Sequence, residues 1–302
     1  MIKDEHYWLQ RLATLRIDRS TKDPAPHKPL LLLVIIEMTE QGEIDGLDIP
    51  LSPDLAFRFS AFWSIVAHRR KQPPEVRLPF HHLVTSGIWQ PLTAGGEPSL
   101  DKRLTVKVRM DIGFWECLSN HSFRDRARRL LIDTEPYFQP EERASLYALF
   151  QMKQSSQNIY NDKELYKTKV QVGRDARFRI EVVIVAYKHT CALTGCRMTT
   201  TEMESIVEAA HIHEFRDSRN NDPCNGIALT KNAHWQFYRG LWSLTDDYRV
   251  LVNKDKFSEN GIEGQRLSDF EGRNIFLPID SSYLPGLQYL EWHRNRHGFL
   301  NS

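Results

Sequence analysis

The chain is short of cysteine, of charge imbalance and of long apolar runs. Only 4 of its 302 residues are Cys, scattered at Cys117, Cys191, Cys196 and Cys224. A disulfide framework uses more closely grouped pairs, so reduced thiols and a cytoplasmic location are expected. The longest apolar run, Pro29 to Ile36, stops at Glu37, well below the roughly 18 residues a spanning helix needs, and no membrane partner is expected. The N-terminal MIKDEHYWLQ carries acids and no apolar core, so no export signal is expected there. Lys plus Arg number 40 against 39 Asp plus Glu, a formal net charge of +1. That balance excludes no partner class, because a nucleic-acid-binding protein needs to be basic only locally. Internal repeats and low-complexity segments are also missing.

What is there is ordinary globular material. A hydrophobic content of 41% with 26% charged residues fits a soluble fold, and the length suggests about two domains. Basic clusters occur at His68-Arg69-Arg70-Lys71, from Arg124 to Arg129 and from Arg174 to Arg179; each reads equally as a solvated helix face or as a nucleic-acid contact. Helical spacing marks Lys3 to Leu15, Leu30 to Met38 with its stop at Gly42, Phe123 to Ile132, Pro140 to Phe150, Val170 to Lys188 and Leu287 to His297. Ser52-Pro53-Asp54 opens a further helix, running to about Arg70, with a capping Ser and a first-turn Pro. Short strands are expected at Trp89 to Leu92, Leu104 to Met110 and Ile275 to Pro278, with a hairpin from Leu241 to Val252. Pro79 argues against a central strand around it. Gln151 to Asn161 is polar and aperiodic, the mark of a linker. The organisation read from this is a domain over 1–150, a linker over 151–168 and a second domain over 169–302.

The stretch from Cys191 to Trp242 organises the chain. Ala209-Ala210-His211-Ile212 reads as a short strand, followed by a loop rich in Asn, Asp and Pro that closes on Asn225-Gly226. Ile227 to Leu229 is apolar, and a helix-like segment then carries His234. A β-β-α unit of this length presents a strand His and a helix His to each other, an arrangement that holds one metal ion beside one general base.

Cys191 to Gly195, Ala209 to Ile212, Asn225 to Leu229 and His234 together resemble the HNH endonucleases, in the branch with Cys-Ala-x-Thr-Gly, Ala-Ala-His-Ile and Asn-Gly-x-x-Leu. The resemblance extends upstream over Arg174 to Arg179 and downstream over Leu290 to Arg294. It implies an α+β chain with a C-terminal HNH ββα-metal nuclease domain. It also implies catalytic roles: His211 as general base, Asn225 orienting the loop that bears it, and His234 ligating a divalent ion, with His211 as a second metal contact. Mg2+ or Mn2+ is the implied cofactor, one ion per site. Two positions depart from the pattern. Ala210 stands where many HNH enzymes place a metal ligand. Tyr238 stands where the branch tends to have Asp, one turn beyond His234. Completion of the metal shell therefore falls to His213 or to an acidic side chain. Cys191 and Cys196 are separated by four residues and Cys224 stands alone, so structural zinc, which favours paired Cys-x-x-Cys motifs, is not expected.

The N-terminal half carries a second resemblance. His27-Lys28-Pro29-Leu30-Leu31-Leu32 and Arg77-Leu78-Pro79-Phe80, with Gly87 and Trp89 downstream, resemble the sulfur-binding domain of phosphorothioate-dependent restriction enzymes. That family usually has an aromatic residue where Leu78 stands. The resemblance implies a mainly helical DNA-reading domain with a few short strands, whose partner is phosphorothioated double-stranded DNA. Sulfur in place of a phosphate oxygen is larger, more polarisable and a weaker acceptor, so a shallow apolar pocket suits it. Leu78, Pro79 and Phe80 are the expected pocket wall. His27, Lys28 and Arg77 are the expected source of positive charge, His82 the pocket edge and Arg103 a further DNA contact. The chain thus reads as a modification-dependent restriction endonuclease, with a homodimer left open. Two other readings remain at this point: an HNH endonuclease for another modification such as a methylated base, and a DNA-binding module with a decayed nuclease.

Overall fold

The structure is a computed structural model that describes residues 3–18, 24–69, 73–153, 163–200 and 204–299. Two compact units emerge, Met1–Ala176 and Arg177–Ser302. Half of the expected linker, 154–162, lies outside the described residues, as do Arg70 and Lys71 of the first basic cluster. Among the described residues no helix is long and apolar enough to cross a membrane.

The N-terminal unit is built around one apolar helix. Helix α1 (Glu5–Ala13) is capped by Asp4, and α2 (His27–Glu40) follows. Every residue of α2 from Pro29 to Met38 is buried, as expected for a helix apolar on all sides. Pro29 sits in the first turn, where its missing N–H costs nothing. Strand β1 (Asp48–Pro50) leads to α3 (Pro53–Val66), whose cap Ser52 accepts from Leu55 N. Next come α4 (Arg77–His82), β2 (Trp89–Leu92) and β3 (Lys107–Met110). The three strands form one antiparallel sheet in the order β1-β3-β2. The alternation expected around Leu104 to Met110 is realised from Lys107 on: Val108 and Met110 are buried, while Lys107 and Arg109 both pair with Asp48 on β1. Helices α5 (Ile112–Ser119), α6 (His121–Asp133), α7 (Pro140–Leu149) and α8 (Lys163–Ile180) complete the order, and the boundary between the units falls within α8. Several guanidiniums are buried and paired: Arg58 with Glu43 and Gln41, Arg69 with Glu142, and Arg128 with Glu40.

In the C-terminal unit a π-helical turn, 181–186, continues the chain. Strand β4 (Val207–His211), the short helix α9 (Phe215–Ser218), strand β5 (Gly226–Thr230) and helix α10 (Lys231–Tyr238) follow. Strands β4 and β5 pair antiparallel, with His211 opposite Gly226 and Glu208 opposite Leu229. Thr230 ends β5 and caps α10, so β5 feeds the helix without a loop. Strands β6 (Trp242–Leu244) and β7 (Val250–Val252) make the expected hairpin, and α11 (Leu287–His297) is the last helix. Two motif glycines have steric reasons. Gly195 takes φ +67°, and a Cβ there would meet the Phe276 ring at 2.2 Å; a Cβ on Gly226 would come 2.3 Å from Val182 Cγ2. The strand expected over Ile275 to Pro278 does not form. Ile275 N donates to Tyr248 O and Phe276 N to Ala192 O, single bonds to separate segments rather than a ladder. Only Asn274 bridges β7's neighbour Arg249.

Candidate functional site

The C-terminal site is assembled at the end of β4 and the start of α10. His211 ends β4 half-buried, its ring stacked on Phe178 at 4.0 Å and 8°. Its Nε2 lies 2.8 Å from Asn221 Oδ1. A carbonyl oxygen can only accept, so the Nε2 proton is donated to Asn221 and the ring's basic lone pair lies on Nδ1. An imidazole of this kind can take a proton from water.

Asn225 is fully buried and spends its amide on the loop after β4. Its Oδ1 accepts from His213 N at 2.8 Å, and its Nδ2 donates to His213 O at 3.0 Å and Asn220 O at 3.2 Å. Ile212 N adds a bond to Asn225 O at 2.9 Å. The loop that follows His211 is therefore pinned to the residue that precedes β5. Neighbouring Asn220 donates to Tyr289 Oη at 2.8 Å, which ties the same loop to α11. The His213 ring stacks on Trp292 at 4.0 Å.

His234 stands in the first half of α10, with Nδ1 2.7 Å from Glu208 Oε1. Both side chains are partly exposed, 31% and 45%, so the pair is open to solvent and to a ligand. Ala210 is buried and offers no donor, and Tyr238 on the far turn of α10 is exposed. Among the described residues no three His, Cys, Asp or Glu side chains converge as a complete metal cage. What converges is one imidazole and one carboxylate, a donor set that suits a hard divalent ion whose remaining positions go to water and phosphate. The imidazole that β4 itself carries is held by Asn221 and Phe178 rather than by Glu208. The cysteines do other work: Cys191 Sγ accepts from Thr230 N at 3.5 Å, and Cys224 Sγ donates to Ser282 O at 3.1 Å.

Sequence reasoning missed Phe178, Asn221, Glu208 and Trp292 as companions of the motif histidines. A signal for two of them was present, since Phe178 and Trp292 lie inside Arg174 to Arg179 and Leu290 to Arg294. The structure shows what those segments contribute: ring faces beneath His211 and His213.

In the N-terminal unit a cavity of about 320 Å³ is lined by Ile17, Asp18, Ala25, His27, Lys28, Leu78, Pro79 and His82. It lies at the N-terminal end of α2, with α4 as its other wall. Lys28 Nζ donates to Arg16 O and Thr85 Oγ1, both at 2.9 Å. Burial, with Arg16 nearby, pushes its ammonium below the usual lysine range. The His27 ring packs on Trp63 at 4.6 Å. Burial and the neighbouring His81 and Lys28 push the His82 imidazole below its ordinary value. Three expected wall and charge residues are placed elsewhere. Phe80 is fully buried against Trp89, whose Nε1 donates to Phe80 O, and is not part of the wall. As the fourth residue of α4 it points into the core, away from Leu78 and Pro79. Arg77 turns to Thr105 O at 3.3 Å, and Arg103 lies exposed on the loop before β3; neither lines the cavity.

Against known proteins, residues 191–245 match a family model described as HNH endonuclease. No curated protein matches the chain. A solved structure described as a modification dependent TagI restriction endonuclease matches 40% of this chain and 37% of its own at 18% identity. Its TM-score of 0.30 makes that likeness too slight to bear on function.

Proposed function

We propose, starting from the HNH endonuclease domain at residues 191–245, that the chain is a modification-dependent DNA endonuclease whose N-terminal unit reads a phosphorothioate. The α+β C-terminal unit supplies the hydrolytic site, and DNA is its substrate. His211 acts as general base on the attacking water, held in one tautomer by Asn221 and against Phe178. Asn225 keeps the loop behind His211 in place. His234 and the carboxylate beside it would hold the divalent ion, Mg2+ or Mn2+, which when bound stabilises charge on the phosphate and leaving oxygen.

The observation that carries the sulfur reading is the make-up of the N-terminal cavity. Its wall joins Ile17, Ala25, Leu78 and Pro79, all apolar, to a partly buried ammonium, Lys28, at the N-terminal end of α2, with the Asp18 carboxylate also on the lining. A helix N-terminus and an ammonium attract an anion. The apolar wall penalises a phosphate oxygen, which would lose its water without a replacement donor, and tolerates the more polarisable, weakly accepting sulfur.

The test is an equilibrium titration of the full chain, without divalent metal, against matched duplexes that differ by one sulfur. Tighter binding of the phosphorothioate duplex by tenfold or more is expected. Equal affinity for the two duplexes would remove the sulfur reading and leave the nuclease reading standing.

A further inference from the structure

Position 210 carries Ala, which has no ligating atom, and position 238 carries Tyr, whose phenol is a poor ligand for a magnesium-type ion beside a carboxylate. Strand geometry points to what replaces them. Side chains two apart on a strand share a face, so Glu208 lies on the same face of β4 as Ala210, one pleat earlier. His211, an odd number of positions away, lies on the other. Helix α10 packs over β4 and β5, and His234 descends from it onto Glu208, with Nδ1 and Oε1 2.7 Å apart. Two neighbouring ligands of one octahedral ion with bonds of roughly 2.1 Å are themselves about 3 Å apart. The resting contact thus already has nearly the spacing of a shared ion.

We propose that Glu208 is a metal ligand, forming with His234 the protein half of the divalent-cation site in place of the absent ligand at position 210. The inference rests on the endonuclease reading of the C-terminal unit and deepens it. A carboxylate turns a single neutral imidazole, a weak match for a hard ion, into a site of mixed charge and hardness. A ligating nitrogen carries no proton, so an ion held at His234 Nδ1 would take the place of the hydrogen bond to Glu208 and leave the ring's one proton on Nε2. The 45% exposure of Glu208 leaves its second oxygen able to reach the ion or a bound water. Glu208 is not the base, which remains His211 on the opposite face.

The experiment measures Mn2+ binding to the full chain without DNA, by electron paramagnetic resonance of the free ion, for the wild type, Glu208→Gln, Glu208→Ala, Glu208→Asp and His234→Ala. Thermal melting confirms that each variant is folded. A carboxylate ligand predicts that Glu208→Gln and Glu208→Ala each weaken Mn2+ binding tenfold or more, as His234→Ala does, with Glu208→Asp recovering part of it. Wild-type affinity in Glu208→Gln together with loss in Glu208→Ala would overturn the ligand assignment in favour of a residue that only orients His234. Wild-type affinity in both variants, or no Mn2+ bound by the wild type at millimolar concentration, would overturn the site altogether. None of these outcomes touches the sulfur preference, which is read from DNA binding without metal.

Discussion

The three motif side chains of the C-terminal unit divide the work by the company they keep. His211 has a ring beneath it and an amide oxygen on one nitrogen, Asn225 is consumed by backbone, and His234 faces a carboxylate. Replacing His211 by Ala is expected to lower cleavage by about 10² to 10⁴-fold, the range of a lost general base. DNA binding should stay near wild type, checked by nicking rate and equilibrium titration on one preparation; loss of both together would make His211 structural. In the N-terminal unit, Lys28 and Leu78 border the same cavity, and the proposed sulfur reading gives them separable roles. Lys28→Ala should weaken binding to sulfur-bearing and unmodified duplexes alike and lower the salt slope by about one. Leu78→Ser should reduce the sulfur preference while leaving the slope unchanged. Titration of both duplexes at two salt concentrations separates the two effects. His211, Asn225 and His234 were singled out in the sequence by order and spacing, and their placement on β4, before β5 and on α10 follows that order. Glu208 was not, because contact between a strand residue and a helix residue depends on how α10 lies across β4, which no local pattern encodes.

At the scale of elements, periodicity was informative where one face is buried. The alternation of β3 from Lys107 on, the buried apolar run of α2 and the strand ending in His211 appear where their patterns place them. It failed where an apolar run had no partner to pair with. Ile275 to Pro278 has the composition of a strand and makes only single backbone bonds. Phe80 failed for a related reason: Arg77-Leu78-Pro79-Phe80 is a helical turn, so its neighbours face different ways, and the aromatic ring goes to the core. The approach of β5 to the π-helical turn yields a direct test. Gly226→Ala would drive a Cβ to 2.3 Å from Val182 and 2.9 Å from Phe178, the residue beneath His211. Overpacking of this kind costs about 1–3 kcal/mol. The melting temperature should fall and the nicking rate with it, since Phe178 must shift; an unchanged melting curve would contradict the close approach.

At the scale of the whole molecule, the chain's charge balance conceals two acid-sensitive imidazoles in the C-terminal unit. His293 is buried, its Nε2 donating to Phe237 O at 3.1 Å and its Nδ1 2.9 Å from Ser243 Oγ. Burial, then the nearby His297, push it down to about 3. Burial and Lys256 hold His297 at about 4. Both bind a proton more readily when unfolded, near 6.5, so their neutral forms contribute stability that is fully present above pH 6.5. That contribution is lost as pH falls through the window toward 3. The melting midpoint should therefore drop between pH 7 and pH 4, and His293→Gln should flatten that dependence; an identical slope in the variant would show that other groups carry it. The central claim, that hydrolysis in the C-terminal unit acts on DNA marked by sulfur, is tested most directly by one comparison. Two duplexes of the same sequence, one with a single phosphorothioate and one without, are incubated with the full chain and Mg2+ or Mn2+, and cleavage is followed on a denaturing gel. Cleavage of the sulfur-bearing duplex at least tenfold faster than its twin, stopped by chelation, is the result expected; equal rates on both, or cleavage of neither, would contradict it.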